Sequence, residues 1–272
     1  MANRRTLGRT VELSGVGVRS GQTVRVALLP AAVGAGLRLE RTDTGEAWPL
    51  DLSAAFAAPG CSAVGTREGG VIYLEHLMAA LWARGITEAR VQVDGPEIPL
   101  LDGSARPWGE LLAAAGVSEV EGEVLPLVVT QAHVECEGES FLSAVPADQA
   151  EYVYVLDHPH PLIGRQWARF RPGVDDFAAE VAPARTFTTE AEARQAQEQG
   201  LLRGGSEANA IVLYPDRFSE EPILPHAFAR HKLLDLLGDL YLLGRPLQAR
   251  IVAYQSGHQL NHRLAKTLAT NP

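Results

Sequence analysis

The sequence predicts an α+β protein built as two similar halves, each pairing a β-sheet with two helices. Three observations carry that expectation. Short segments alternating apolar and polar recur in both halves between Gly-rich turns. Each half also holds at least two segments of helical period, several of them ending at Gly. A chain of 272 residues with 46% hydrophobic content can bury one large core or two smaller ones.

In the first half, residues 7–13, 23–29 and 36–41 alternate around Ser14-Gly15-Val16-Gly17 and Ser20-Gly21, as half-buried antiparallel strands do. Residues 74–84, LEHLMAALWAR, have the period of a helix and stop at Gly85. A strand over 89–93 leads into Gly95-Pro-Glu-Ile-Pro99, which must be an extended turn, and a helix over 108–115 ends at Gly116. The acidic, Gly-containing segment 116–125 is the best boundary, dividing the chain into domains 1–120 and 121–272. The second half should place strands at 126–136, 140–145 and 151–156, with an extended stretch at 183–187. A helix over 190–199, closed by Gly200, precedes Gly204-Gly205 and a strand at 210–214. Then come a helix at about 227–242, a strand at 248–254 and a last helix over 258–268.

Composition narrows the function. The formal net charge is −9, and Lys and Arg cluster nowhere beyond Arg4-Arg5, so nucleic acid is not an expected partner. The N-terminal MANRRTLGRT has no apolar core of a signal peptide, and no run approaches the roughly 20 apolar residues of a membrane span. Two cysteines, Cys61 and Cys136, cannot build a disulfide framework. The expectation is a soluble, reduced, cytoplasmic protein.

The segment Ala229-Arg-His-Lys-Leu-Leu-Asp-Leu-Leu-Gly-Asp239 carries the most chemistry. His231, Asp235 and Asp239 stand four residues apart and so share one helix face, among leucines at 233, 234, 236, 237 and 240 that mark a buried surface. Burying a His and two carboxylates is costly unless the charge is compensated, and a divalent metal is the usual compensator. A catalytic zinc takes three protein ligands and keeps one position for water. His231 and Asp235 supply two, and the best third is His76, preceded by Glu75, whose carboxylate could take a proton from that water. In Ser256-Gly257-His258, glycine lets an imidazole be presented at a helix start, where it could donate a proton to a leaving group. Asp239 could keep that imidazole protonated. Lys232 offers fixed positive charge for an anionic substrate. Taken singly each residue has a plainer reading, since a lone His on an apolar helix is more often a satisfied core residue and acids are common in first helical turns. His133, His158, His160, His226 and His262 keep that plainer reading.

Six motifs occur here in one order: Glu75-His-Leu-Met-Ala-Ala-Leu81, Gly95-Pro-Glu-Ile-Pro-Leu-Leu-Asp-Gly-Ser-Ala105, Ala184-Arg-Thr-Phe187, Gly204-Gly-Ser206 with Asn209-Ala-Ile-Val212, Arg230-His-Lys-x2-Asp-x2-Gly-Asp239, and Ser256-Gly-His-x-Leu-Asn261. With them the chain resembles the UDP-3-O-acyl-N-acetylglucosamine deacetylases, the zinc amidases that commit to lipid A synthesis in Gram-negative bacteria. The resemblance runs from about Thr6 to the last helix. It implies two α+β domains packed as a sandwich with helices between the sheets, and a small insertion in each, here near 48–64 and 188–228. It implies zinc held by His76, His231 and Asp235, a ligand set that also suits ferrous iron. Glu75 would be the general base, His258 the general acid with Asp239 as its partner, and Thr186 the hydroxyl stabilising the oxyanion. Phe187, Lys232 and Gly205 would bind substrate, a UDP-linked acylated amino sugar, and the protein would be a monomer. Leu201, Leu202, Ile211 and Val212 would line an apolar passage for the acyl chain or pack in the core.

The chain departs from the family pattern at Gly17-Val18-Arg19-Ser20-Gly21, at Cys61-Ser62-Ala63-Val64, at Leu224-Pro225-His226-Ala227-Phe228, and at Glu207 beside the passage. These departures keep open a zinc amidase acting on another N-acylated sugar or metabolite, and a catalytically silent relative that binds a nucleotide sugar. Retention of Glu75, His76, His231, Asp235, Asp239 and His258 argues against silence.

Overall fold

A computed structural model describes residues 2–272. In the first half the chain forms β1 (Ala2–Leu7), β2 (Val11–Val16), β3 (Thr23–Pro30), β4 (Leu37–Arg41), β5 (Ala47–Pro49), β6 (Ala55–Ala58), β7 (Cys61–Val64), β8 (Val71–Ile72), α1 (Glu75–Arg84), β9 (Ala89–Val93), α2 (Arg106–Ala115) and β10 (Val117–Val124). The second half forms β11 (Leu127–Val128), β12 (His133–Glu137), β13 (Ser140–Val145), β14 (Glu151–His158), β15 (Gly164–Phe170), α3 (Phe177–Glu180), β16 (Phe187–Thr189), α4 (Glu190–Glu198), β17 (Ile211–Tyr214) and β18 (Arg217–Phe218). It ends with α5 (Ala227–Leu240), a 3₁₀ turn (Tyr241–Leu243), β19 (Leu247–Gln248), β20 (Arg250–Tyr254) and α6 (His258–Thr270).

The architecture is α+β, and its two main sheets repeat one plan. Strand order is β2-β3-β9-β4-β5 in one five-stranded sheet and β12-β13-β20-β14-β15 in the other. In each, the last strand in sequence enters the middle, antiparallel to the second strand and parallel to the third. Each half also carries a three-stranded sheet, β6-β7-β8 and β16-β17-β18. These correspond to the two insertions, the first centred later than 48–64.

Several expected elements divide differently. The single strand over 7–13 is two strands turned apart at Gly8, whose N–H donates to Gly116 O, so that β1 pairs with β10 and β2 with β3. The segment 126–136 likewise splits, because β11 runs parallel to β19 while β12 pairs with β13 in the main sheet. The expected strand 248–254 breaks at Ala249 into β19 and β20 for the same reason. Segment 116–125 holds a strand, β10, that returns to the N-terminal β1. No helix is long and apolar enough to cross a membrane among the described residues.

Between the main sheets lie α1 and α5, packed on each other, with α5 also against β14, β15 and α6. Glu75 to Leu81 are buried without exception in α1, and nearly all of α5 is buried. Helices covered on all sides lose the one-sided pattern of a surface helix. The approach is tightest at Gly238, where an added Cβ would sit 2.1 Å from the backbone oxygen of Glu75. Only glycine fits there, and this contact sets Glu75 and His76 beside the polar row of α5. Gly238→Ala must therefore push α1 away at a cost of about 1–3 kcal/mol or more. Thermal unfolding should show a midpoint lower by about 2–4 °C per kcal/mol. An unchanged midpoint would contradict the close packing.

Candidate active site

Three helix starts and one helix face build the site. The chain reaches α1 through Tyr73 at φ +65°, α5 through His226 at φ +54°, and α6 through Gln255 at φ +51°. Such left-handed backbone is unfavourable for these residue types and persists where the surroundings over-determine it. It delivers Glu75 in the first turn of α1, where a carboxylate complements the helix dipole. It also presents His258 as the first residue of α6, after Gly257.

His76, His231 and Asp235 converge. One ligand atom from each lies within 4.8 Å of the others, and all three residues are buried. Asp235 Oδ1 stands 3.6 Å from His76 Nε2 and 3.5 Å from His231 Nε2, and the two rings are nearly perpendicular. His231 Nδ1 lies 3.1 Å from Ala184 O, so Nδ1 carries the proton and Nε2 presents its lone pair. Asp235 Oδ1 is buried without a hydrogen-bond partner among the described residues. A buried anionic oxygen facing two imidazole nitrogens, with no donor to satisfy it, fits a divalent cation. Burial holds the His231 imidazole down at about 3, against the pull of Asp235, so it is neutral as a ligand must be. For Asp235 burial works the other way, but His231 and Lys232 outweigh it and hold the carboxyl well below the usual range. Lys232 Nζ donates to Asp235 Oδ2 at 3.0 Å and lies 5.8 Å from the Phe187 ring centre.

The second group centres on Asp239, fully buried. Its Oδ2 accepts from His258 Nδ1 and from Asn261 Nδ2, each at 2.8 Å, and its Oδ1 accepts from the Ser62 hydroxyl. His262 Nε2 lies 2.7 Å from Ser62 Oγ. Burial would discharge His258, yet the charge and hydrogen bond of Asp239, with Glu75 and Asp235 beyond, raise it to about 9. Glu75 accepts from Ser62 N at 2.9 Å, and burial raises its carboxyl despite His258 and His76 nearby. One site thus holds a neutral imidazole, His231, where a metal fits, and a charged one, His258, against Asp239.

Of the remaining predicted residues, Phe187 joins the cluster, its ring centre 6.2 Å from that of His231. Thr186 is fixed through its backbone, with N donating to Gly103 O at 2.7 Å and O accepting from Ile211 N at 2.8 Å. It stands two residues after Ala184, whose carbonyl orients His231. Gly205 packs on Leu202, and its neighbour Gly204 donates to Val18 O at 3.0 Å, so this turn braces the Gly17-to-Gly21 turn. Ile211 is a core residue. The Glu207 carboxylate accepts from the Tyr214 hydroxyl at 2.7 Å. Sequence reasoning missed Ser62 and His262. For His262 a signal existed, because it stands four residues after His258 on one helix; Ser62 stood out only within a segment that departs from the family pattern, and nothing in that short strand marked its side chain.

His258 and Lys232 open onto a cavity of about 1010 Å³ that is also lined by Arg67, Arg263, Lys266 and Phe56, with Glu137 as a lone carboxylate. Four Lys and Arg side chains around one cavity of an acidic chain suit a multiply anionic substrate. A smaller cavity, about 640 Å³ and lined by Trp82 and Phe177, lies away from these residues.

The chain matches the family model described as LpxC: UDP-3-O-acyl N-acetylglycosamine deacetylase over residues 4–270. It is 40% identical over 275 residues to the UDP-3-O-acyl-N-acetylglucosamine deacetylase of Thermosynechococcus vestitus, across 98% of this chain and 94% of that one. With the protein of the same name from Myxococcus xanthus the identity is 39% over 280 residues, across 99% and 87% of the two chains. With that from Synechocystis sp. it is 37% over 270 residues, across 97% and 98%. Fold, buried donor set and these likenesses agree: the chain belongs to the UDP-3-O-acyl N-acetylglycosamine deacetylase family.

Proposed function

We propose that this protein is a metal-dependent hydrolase that removes the N-acetyl group of UDP-3-O-acyl-N-acetylglucosamine, releasing acetate and the free amine for lipid A biosynthesis. The observation that carries the reading is the buried His76, His231 and Asp235 group, set beside a buried carboxylate and a charged imidazole. A bound zinc ion, or ferrous iron, would supply Lewis acidity to water and to the amide carbonyl.

The chain's own residues do the rest. Glu75 accepts the proton of the attacking water at its carboxylate; desolvation makes that carboxylate a stronger base than an exposed one. Thr186 is assigned as a donor to the developing oxyanion. His258 gives its proton to the leaving nitrogen, and Asp239 keeps it charged and oriented until then. Lys232 faces the diphosphate with the other cations of the large cavity, while Phe187 and Gly205 are assigned to substrate binding. With the domains dividing near residue 120, the base and one ligand come from the first and the acid and two ligands from the second. The nucleotide-sugar substrate and the acidic surface fit a cytoplasmic monomer that does not engage nucleic acid.

Chelation should abolish deacetylation and zinc should restore it; turnover surviving a complete metal strip would remove the hydrolase reading. Glu75→Ala should keep its metal by elemental analysis while kcat falls about 10²–10⁴-fold. Normal turnover in that variant would remove Glu75 as base. Because His258 acts in its charged form and titrates near 9, kcat/KM should fall as pH rises through that value. The alkaline limb should vanish in His258→Ala along with most of the activity. UDP-N-acetylglucosamine lacking the 3-O-acyl chain should react far more slowly than the acylated compound, and equal rates would count against the lipid A substrate while sparing the chemistry.

A further inference from the structure

One buried serine touches both the Glu75 carboxylate and the Asp239 carboxylate that holds His258. Ser62, only 1% exposed on β7, donates its N–H to Glu75 Oε2 at 2.9 Å and its hydroxyl to Asp239 Oδ1. Its carbonyl accepts from the N–H of Leu74, the residue before Glu75, at 3.3 Å. His262 Nε2 lies 2.7 Å from the same Oγ, and His262 is itself 3% exposed. On the other side of the carboxylate, Asp239 Oδ2 holds His258 Nδ1 at 2.8 Å.

Counting protons fixes the direction of this chain. An ionised carboxylate only accepts, and a serine hydroxyl has one proton. That proton goes to Asp239, so Ser62 Oγ must accept from His262, which carries its proton on Nε2. His262 Nδ1 is then the bare nitrogen, and it is a buried atom with no hydrogen-bond partner among the described residues. A proton placed there would be buried unpaired, so only one tautomer suits the site. Asp239, His258 and Lys266 are the charged groups near His262, and of these only Asp239 bonds into the chain through Ser62. Donation therefore runs from His262 to Ser62 to Asp239, while His258 donates to Asp239 from the opposite side. Linked donors of this kind polarise one another and fix a single geometry.

We propose that Ser62 is a positioning residue for the deacetylation, locking the Glu75 base and the Asp239–His258 acid pair into one frame, with His262 orienting its hydroxyl. The inference rests on the roles given above to Glu75 and His258. It adds a residue of the first insertion to the machinery, so that β7 holds the base by backbone and the acid's partner by side chain.

Steady-state kinetics with UDP-3-O-acyl-N-acetylglucosamine and the zinc-loaded protein test it. Losing a hydrogen bond to a buried charged group should lower kcat of Ser62→Ala about tenfold, with KM within about twofold and metal content unchanged. Ser62→Thr keeps hydroxyl and N–H and should recover most of the loss. His262→Phe should cost about threefold, and the double variant should be no slower than Ser62→Ala, because both act through one hydroxyl. A Ser62→Ala kcat within about twofold of wild type, or losses that multiply in the double variant, would overturn the proposal. The hydrogen-bonded Nδ1 proton of His258, followed by NMR, gives a readout that needs no turnover. Its resonance should shift in His262→Phe and return toward the wild-type position in His262→Gln, which keeps a donor; an unmoved resonance would overturn the relay even if Ser62→Ala fails to fold. Wild-type protein that leaves the acylated substrate untouched would instead refute the assigned reaction, and the resonance would still decide the relay.

Discussion

Everything in this site depends on how closely α1 and α5 can approach. The missing side chain at Gly238 lets the Glu75 backbone lie against α5, and that single contact sets His76 opposite His231 and Asp235. Both helices are buried nearly all round, so their polar residues have no water to fall back on and must satisfy each other. The cost of burying three carboxylates is met by three different means. Asp235 has Lys232 and the two imidazoles, Asp239 has three hydrogen-bond donors, and Glu75 has the Ser62 N–H.

The same desolvation drives the histidines in opposite directions. His231, hydrogen-bonded to a backbone carbonyl, stays neutral; His258, hydrogen-bonded to the Asp239 carboxylate, stays charged. Burial penalises both charged forms, and the partner decides the outcome. A ligand and an acid can therefore be made from one residue type within one site.

Much of this was legible in the sequence because it is local. Helical period with a closing glycine marks α1 and α4, and the i, i+4 spacing of His231 and Asp235 puts two donors on one face before any partner is known. The illegible parts are those made by distance. Ser62 and His262 are 200 residues apart when their side chains meet, and no local pattern encodes that contact. Strands of two to four residues, such as β7, β8 and β18, are too short to show alternation. The breaks at Gly8 and Ala249 follow from which sheet each side joins, a tertiary choice that propensity does not reveal.

The repeated strand order gives the two halves the same frame, yet they contribute unlike residues to the centre. His76 comes from one copy of the plan and His231 with Asp235 from the other. Neither copy alone contains a complete donor set, so a cation seated there is also a clasp across the seam. Its binding free energy would count toward holding the halves together. Loosening the seam and losing the ion would then be one event seen from two sides.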